Sequence, residues 1–112
     1  MSVRDDLAAA ASTVDGVKCT PYYVSHSKPG TAFVRLDRIE YPNRFGGVAH
    51  WNVVLILPQD LDDAERFLEA KHPLIKAAVE PHLVVTSITP QQLQIGIGAP
   101  IPCAFVNGHR EE

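Results

Sequence analysis

The chain has 112 residues, 46% of them hydrophobic and 21% charged, with a formal net charge of −3 at pH 7. This length suits one domain that buries about two-thirds of its unfolded surface, and the composition excludes a disordered chain. A pI near 5.9 argues against a dedicated nucleic-acid binder, which needs a basic patch to displace phosphate counterions; it is compatible with a wall past which DNA slides without sticking.

Ser2 followed by Asp5 resembles a capping box, and Leu7, the alanines at 8 to 11 and Val14 read as a short helix that Asp15-Gly16 stops. Val17-Lys18-Cys19-Thr20 alternates, and Pro21-Tyr22-Tyr23-Val24 continues extended, with Pro21 marking an edge strand or a bulge. Ser25 to Gly30 is a polar loop with a turn signal. Thr31 to Tyr41 reads as a second strand, with Val34 and Leu36 on one face and Arg35 and Asp37 on the other. Ile39 and Tyr41 fall out of phase, which predicts a bulge near Asp37-Arg38. After the loop from Pro42 to Gly47, Val48 to Leu57 forms a third strand, apolar on both faces from Val53 onward. That pattern suits a central strand covered on its far side by a helix.

Asp60 can cap a second helix whose positive end Asp62, Asp63 and Glu65 complement. Leu61, Ala64, Leu68, Ile75 and Val79 recur at helical spacing and predict one face lying on the sheet. His72-Pro73 predicts a kink or two abutting helices, and Glu80-Pro81-His82 ends the segment. Leu83 to Thr89 and Leu93 to Ile97 read as short strands around a turn at Pro90-Gln91-Gln92. Ile101 to Val106 is the last strand, before Asn107-Gly108 and a charged tail from His109 to Glu112. The order α-β-β-β-α-β-β-β implies an α+β fold: a mostly antiparallel sheet of about five to six strands with two helices packed on one face. Its apolar strand edges favour covering by self-association.

No catalytic, cofactor-binding or metal-binding constellation is readable. The histidines His26, His50, His72, His82 and His109 include no helical His-x-x-x-His pair. Ser25-His26-Ser27 places neighbours on opposite faces of an extended chain. Gly96-Ile97-Gly98-Ala99-Pro100 neither ends in Lys-Ser/Thr nor opens a helix, and the carboxylates at 60 to 65 serve the helix dipole. Cys19 and Cys103 read as buried free thiols, with neither the number nor the clustering of a disulfide framework or zinc site. The N-terminus shows no signal-peptide pattern and the longest apolar run, Val53 to Leu57, is too short for a membrane span; a reducing cytoplasm is the expected setting.

Arg44-Phe45, between Pro42-Asn43 and Gly46-Gly47 at a hairpin tip, is the least ordinary pair: the ring either folds back over the sheet edge or docks into a neighbour. Arg35, Arg38 and Arg44 along one hairpin can meet an acidic surface such as the Asp60–Glu65 turn of another copy. Such a heterologous contact repeats head to tail and closes into a ring if the rotation allows. The residues assigned to a subunit interface on this argument are Arg35, Arg38, Tyr41, Asn43, Arg44, Phe45, Asp60, Asp62 and Asp63.

Val34-Arg35-Leu36-Asp37-Arg38-Ile39 leading to Tyr41-Pro42-Asn43-Arg44-Phe45-Gly46-Gly47, then Trp51-Asn52-Val53, Leu57-Pro58-Gln59-Asp60 and Val84-Val85-Thr86, resemble the small neck and tail proteins of actinobacterial siphophages. These are the tail terminators, similar in role to the lambda-type U protein. The resemblance implies a virion structural protein, not an enzyme, that assembles with itself into a ring, generally of six subunits. The ring would sit at the head-proximal end of the tail, made in the host cytoplasm. Its implied partners are the major tail tube protein, whose polymerisation it stops, and the head–tail connector; DNA would pass through the lumen without specific binding, and no membrane is involved. A head–tail connector or stopper is the neighbouring alternative. A small ligand-binding or enzymatic domain is a third, and would require a deep pocket lined by perturbed ionisable groups.

Overall fold

The computed structural model describes residues 3–22, 28–43, 46–93 and 100–111. The expected Ser2 cap, the Ser25-His26-Ser27 loop, Arg44-Phe45 and the glycines at 96 and 98 lie outside them. The elements run α1 (Val3–Ala11), β1 (Lys18–Thr20), β2 (Thr31–Asn43), β3 (Gly46–Ile56), α2 (Leu61–Val79), β4 (Val84–Leu93) and β5 (Ile101–Glu111). The five strands lie in the order β1-β2-β3-β5-β4. Only β1 and β2 run parallel; the other neighbours are antiparallel. The fold is α+β, with a mixed sheet.

Both helices cover the same face. Leu7 and Ala11 of α1 and Ala64, Ile75 and Val79 of α2 are buried with Ala32, Val34, Val53, Leu55, Ala104 and Val106 of the sheet. The alternation of β2, β3 and β5 makes this possible, because residues two apart share a face. The intervening residues Phe33, Val54, Ile56, Cys103 and Phe105 form a second, smaller cluster on the opposite face. No described helix packs there, so the helix expected on the far side of β3 is absent among the described residues. Asp60 caps α2 as its position implies: it is extended, and its Oδ1 accepts the Asp62 N–H at 2.9 Å. The bulge expected near Asp37-Arg38 is present, as a register shift between Leu36 and Arg38 opposite Trp51 and His50.

Four expectations are corrected. Pro90-Gln91-Gln92 is no turn: β4 runs straight through it, with Pro90 opposite Ala104 and Gln91 opposite Cys103. β4 is the last strand of the sheet, so a proline lacking its N–H is tolerated on the unpaired side. The described strands therefore number five, and residues 94–97 lie outside the description. Asn107-Gly108 and the charged tail belong to β5, which continues to pair until Glu111 meets Val48. Pro73 does not divide the segment into two abutting helices, because α2 is one helix from Leu61 to Val79. The Glu69 carbonyl that loses its partner there belongs to an exposed residue, as is Pro73, so water can take the bond. Leu61 does not face the sheet; it is 74% exposed.

α1 is tied to the edge of the sheet by two polar side chains. Ser12 Oγ accepts the Cys19 N–H and donates to the Cys19 carbonyl, both at 3.0 Å. Arg4 Nη1 donates to the carbonyls of Pro21 and Val34, each at 2.9 Å, and its guanidinium lies 4.3 Å from the Tyr22 ring centroid. It fills the place where β1 has left the side of β2. On the same edge, Gly30 adopts φ 90° and a Cβ there would stand 2.4 Å from the Gly16 carbonyl oxygen. Gly30→Ala is therefore expected to destabilise the fold by about 1–3 kcal/mol or more, read as a lowered urea midpoint; an unchanged midpoint would contradict this close crossing.

Candidate functional site

The helix-free face of the sheet changes character along its strands. At the end where β3 leads to α2 it is apolar, with Ile56 beside Cys103 and with Phe33, Val54 and Phe105 in one cross-strand row. The next row holds Arg35, Asn52, Asn107 and Ser87. Asn52, only 6% exposed, donates from Nδ2 to Asn107 Oδ1 at 2.6 Å. Asn107 Nδ2 in turn donates to Ser87 Oγ at 3.1 Å and Thr89 Oγ1 at 3.3 Å. The buried amide is thus satisfied across three strands, as a buried polar group must be. Arg35 leans back over the apolar end, its guanidinium 5.6 Å from the Phe105 ring centroid.

Beyond the amides lies a charged end. Arg38 donates to Asp37 at 2.7 Å and to Glu40 at 2.6 Å, and Arg35 stands 3.5 Å from Asp37. The Arg38 hydrogen bond, and then its charge, hold the Glu40 carboxyl below its usual value; the same bond raises Arg38. His50 Nε2 is 3.2 Å from Glu40 Oε1, and the His50 and His109 rings are 5.9 Å apart. A polar cleft of about 180 Å³ opens here between Asp37, Arg38, His50, Ser87 and Asn107. Its side chains satisfy one another, and the described residues contain no group of three or more His, Cys, Asp or Glu arranged to hold a metal ion. No helix among them is long and apolar enough to cross a membrane.

The assigned interface residues divide between two distant places. Arg35, Arg38 and Tyr41 lie on β2, Tyr41 being 70% exposed, and Asn43 closes the hairpin opposite Gly46. Arg44 and Phe45 lie outside the described residues. Asp60, Asp62 and Asp63 are exposed at the start of α2, with Asp62 3.6 Å from Arg66. The eleven residues of β3, about 33 Å at the rise of a strand, separate the hairpin end from the start of α2, and Arg35 and Arg38, opposite Asn52 and His50, lie between the two. Arg35 and Arg38 are not free cations, since Asp37 and Glu40 already pair with them. Sequence reasoning missed the Asn52–Asn107 pair, which only the β3–β5 register brings together, and a groove at the start of α2 of about 280 Å³. Leu57, Leu61, Ala64, Leu68, Pro90 and Pro102 give this groove an apolar lining. Helical spacing places Leu61 on the sheet, so residue types alone give no sign of the groove.

The edges of the sheet are equally uneven. β1 pairs only with Thr31, Ala32 and Phe33, so from Val34 to Asn43 the outer edge of β2 has no strand neighbour among the described residues. The outer edge of β4 has none either. No protein-family model matches this sequence, and no curated protein matches it.

Removing one amide of the buried pair strands the other. Asn107→Leu is expected to cost about 1–3 kcal/mol, whereas Asn52→Leu combined with Asn107→Leu should cost less than the sum of the two single losses; urea unfolding of the wild type, the two single variants and the double variant measures this, and simple additivity would contradict the coupling. Burial pushes the Cys19 thiol up to about 12 and the Cys103 thiol to about 11. Both are expected to stay protonated at pH 8 and to react with a thiol reagent at the rate of unfolding; rapid labelling of the native protein would contradict their burial.

Proposed function

We propose that this chain is a virion structural protein of the tail-terminator type, whose copies form a ring that caps the tail tube, stops its growth and joins it to the head connector. The likeness of residues 34–47, and of the segments at 51–53, 57–60 and 84–86, to siphophage tail proteins supplies the role. The observation that carries its structural side is that, among the described residues, the outer edge of β2 from Val34 to Asn43 has no strand neighbour, on a long hairpin with exposed Tyr41. Unpaired strand edges of this length are a liability in a free monomer and are usually covered. A ring uses such surfaces without leaving them open, because each heterologous contact is repeated until it closes.

The stabilising chemistry of the helix-free face fits a structural role. Its amides and ion pairs bind one another, and its exposed charges are of both signs, so a polyanion passing nearby would meet no basic stripe. Added in substoichiometric amounts to polymerising tail tube protein of the same phage, the protein is expected to shorten the tubes and to decorate one end of each, as seen by negative-stain electron microscopy. Tubes of unchanged length with bare ends would overturn the terminator reading.

A further inference from the structure

We propose that two copies of this protein pair through the outer edge of β2, antiparallel and about a two-fold axis at Ile39. This goes beyond the ring reading and does not rest on it: the pair is the form of the free protein, and it must open before the same edge can serve a ring. The directions of the backbone groups define the edge. The Ile56 carbonyl of β3 accepts the Gly30 N–H, and the Leu57 N–H donates to Pro102 of β5. Even-numbered residues of β3 therefore turn their backbone groups toward β2, and odd-numbered ones toward β5. Arg38 and Glu40, opposite His50 and Val48, use theirs on β3. Ile39 and Tyr41 turn theirs outward, where no described strand lies. Upstream, Arg4 takes the Val34 carbonyl, so the uncovered stretch runs from Leu36 to Tyr41. The opposite edge of the sheet is interrupted instead. Pro90 lies opposite Ala104, and by the same alternation it faces outward, with no N–H to offer.

Charge selects the partner and the register. Arg38 and Glu40 lie on the helix-free face, each about half-exposed and 2.6 Å from the other. A two-fold axis at Ile39 sets Arg38 opposite Glu40 of the second copy and Glu40 opposite its Arg38, while the two Ile39 backbones exchange both of their bonds. Moving the axis by one residue sets Arg38 on Arg38 in one direction and Glu40 on Glu40 in the other. Parallel, in-register pairing does both. Like charges directly opposite one another are destabilising, so the edge is complementary to a second copy of itself in this one register. The contact is isologous and closes at two copies. On the helix-covered face, Leu36 and Tyr41 are exposed, and Tyr41 of each copy passes beside Leu36 of the other. The bulge between Leu36 and Arg38 limits the paired stretch to Asp37–Tyr41 of each strand, which falls within the uncovered edge.

Sedimentation velocity of the free wild type is expected to show a monomer–dimer equilibrium in the micromolar range, since one short edge covers less than the roughly 800 Å² per partner of a standard interface. In hydrogen exchange of the wild type, the amides of Ile39 and Tyr41 should slow as concentration rises, while that of Ile88, outward on β4, should not. Arg38→Glu alone, or Glu40→Arg alone, places two like-charged pairs across the axis and should weaken association about tenfold or more; urea unfolding checks that each variant folds. An equimolar mixture of the two variants should dimerise again, because every opposed pair is then unlike. A wild type that is monomeric at millimolar concentration or larger than a dimer, Ile39 and Tyr41 amides indifferent to concentration, folded single variants that dimerise like the wild type, or a mixture that stays monomeric would overturn the pairing. Capping of tail tubes by a protein that never dimerises removes the pairing and leaves the ring reading. A dimer that never binds tubes does the reverse.

Discussion

β3 must be satisfied on four sides at once, and the rest of the molecule is arranged around that constraint. Its backbone pairs with β2 on one edge and β5 on the other, and from Val53 its side chains are buried on both faces. The helices solve only one face. On it, Val53 and Leu55 join the core beneath α1 and α2, where burial of each large aliphatic side chain is worth about 1.5–3 kcal/mol. On the other face the apolar cluster ends at Val54, and Asn52 takes over with a buried amide that Asn107, Ser87 and Thr89 satisfy. Past Asn52 the same face becomes ionic. A single strand therefore lays out an apolar end and a charged end, and gives the domain its polarity.

That polarity reaches the two ends of the domain. Where β3 leaves the sheet for α2, the chain builds an apolar groove with an acidic rim. Where β2 turns into β3, it builds a hairpin whose outer edge has no strand neighbour among the described residues and whose arginines at 35 and 38 are held by Asp37 and Glu40. Arg4 marks the boundary between closed and open edge: it caps the Val34 carbonyl where β1 stops covering β2. Beyond that point charged side chains and a bulge at Asp37 keep the edge from indiscriminate pairing. The ring proposed above would have these unlike ends to work with.

Local chemistry was legible in the sequence, and long-range pairing was not. The change of phase between Leu36 and Ile39 located the bulge, and Asp60 before Leu61 located the helix start. The two-faced apolar run from Val53 marked the central strand. Pro90, by contrast, reads as a turn unless the strand is known to lie at the sheet edge, a tertiary fact. The tail from His109 reads as a charged end, yet it is strand because Val48 to His50 need a partner. Pro73 reads as a break, yet the exposed outer side of α2 lets water replace the lost bond. Of the candidate site, the arginines and aspartates were visible as charge patterns. Their sharing with Asp37 and Glu40, the buried amide pair and the groove depend on register and helix placement, which residue types alone do not encode.

The central claim is that β3 is the strand around which the rest of the domain is organised. Native-state hydrogen exchange tests it most directly. The account predicts that the amides of Val53 to Leu55, between two paired strands and buried on both faces, exchange only by global unfolding, with the free energy that urea unfolding gives. Exchange of these amides faster than that of β1 or β4 would contradict it.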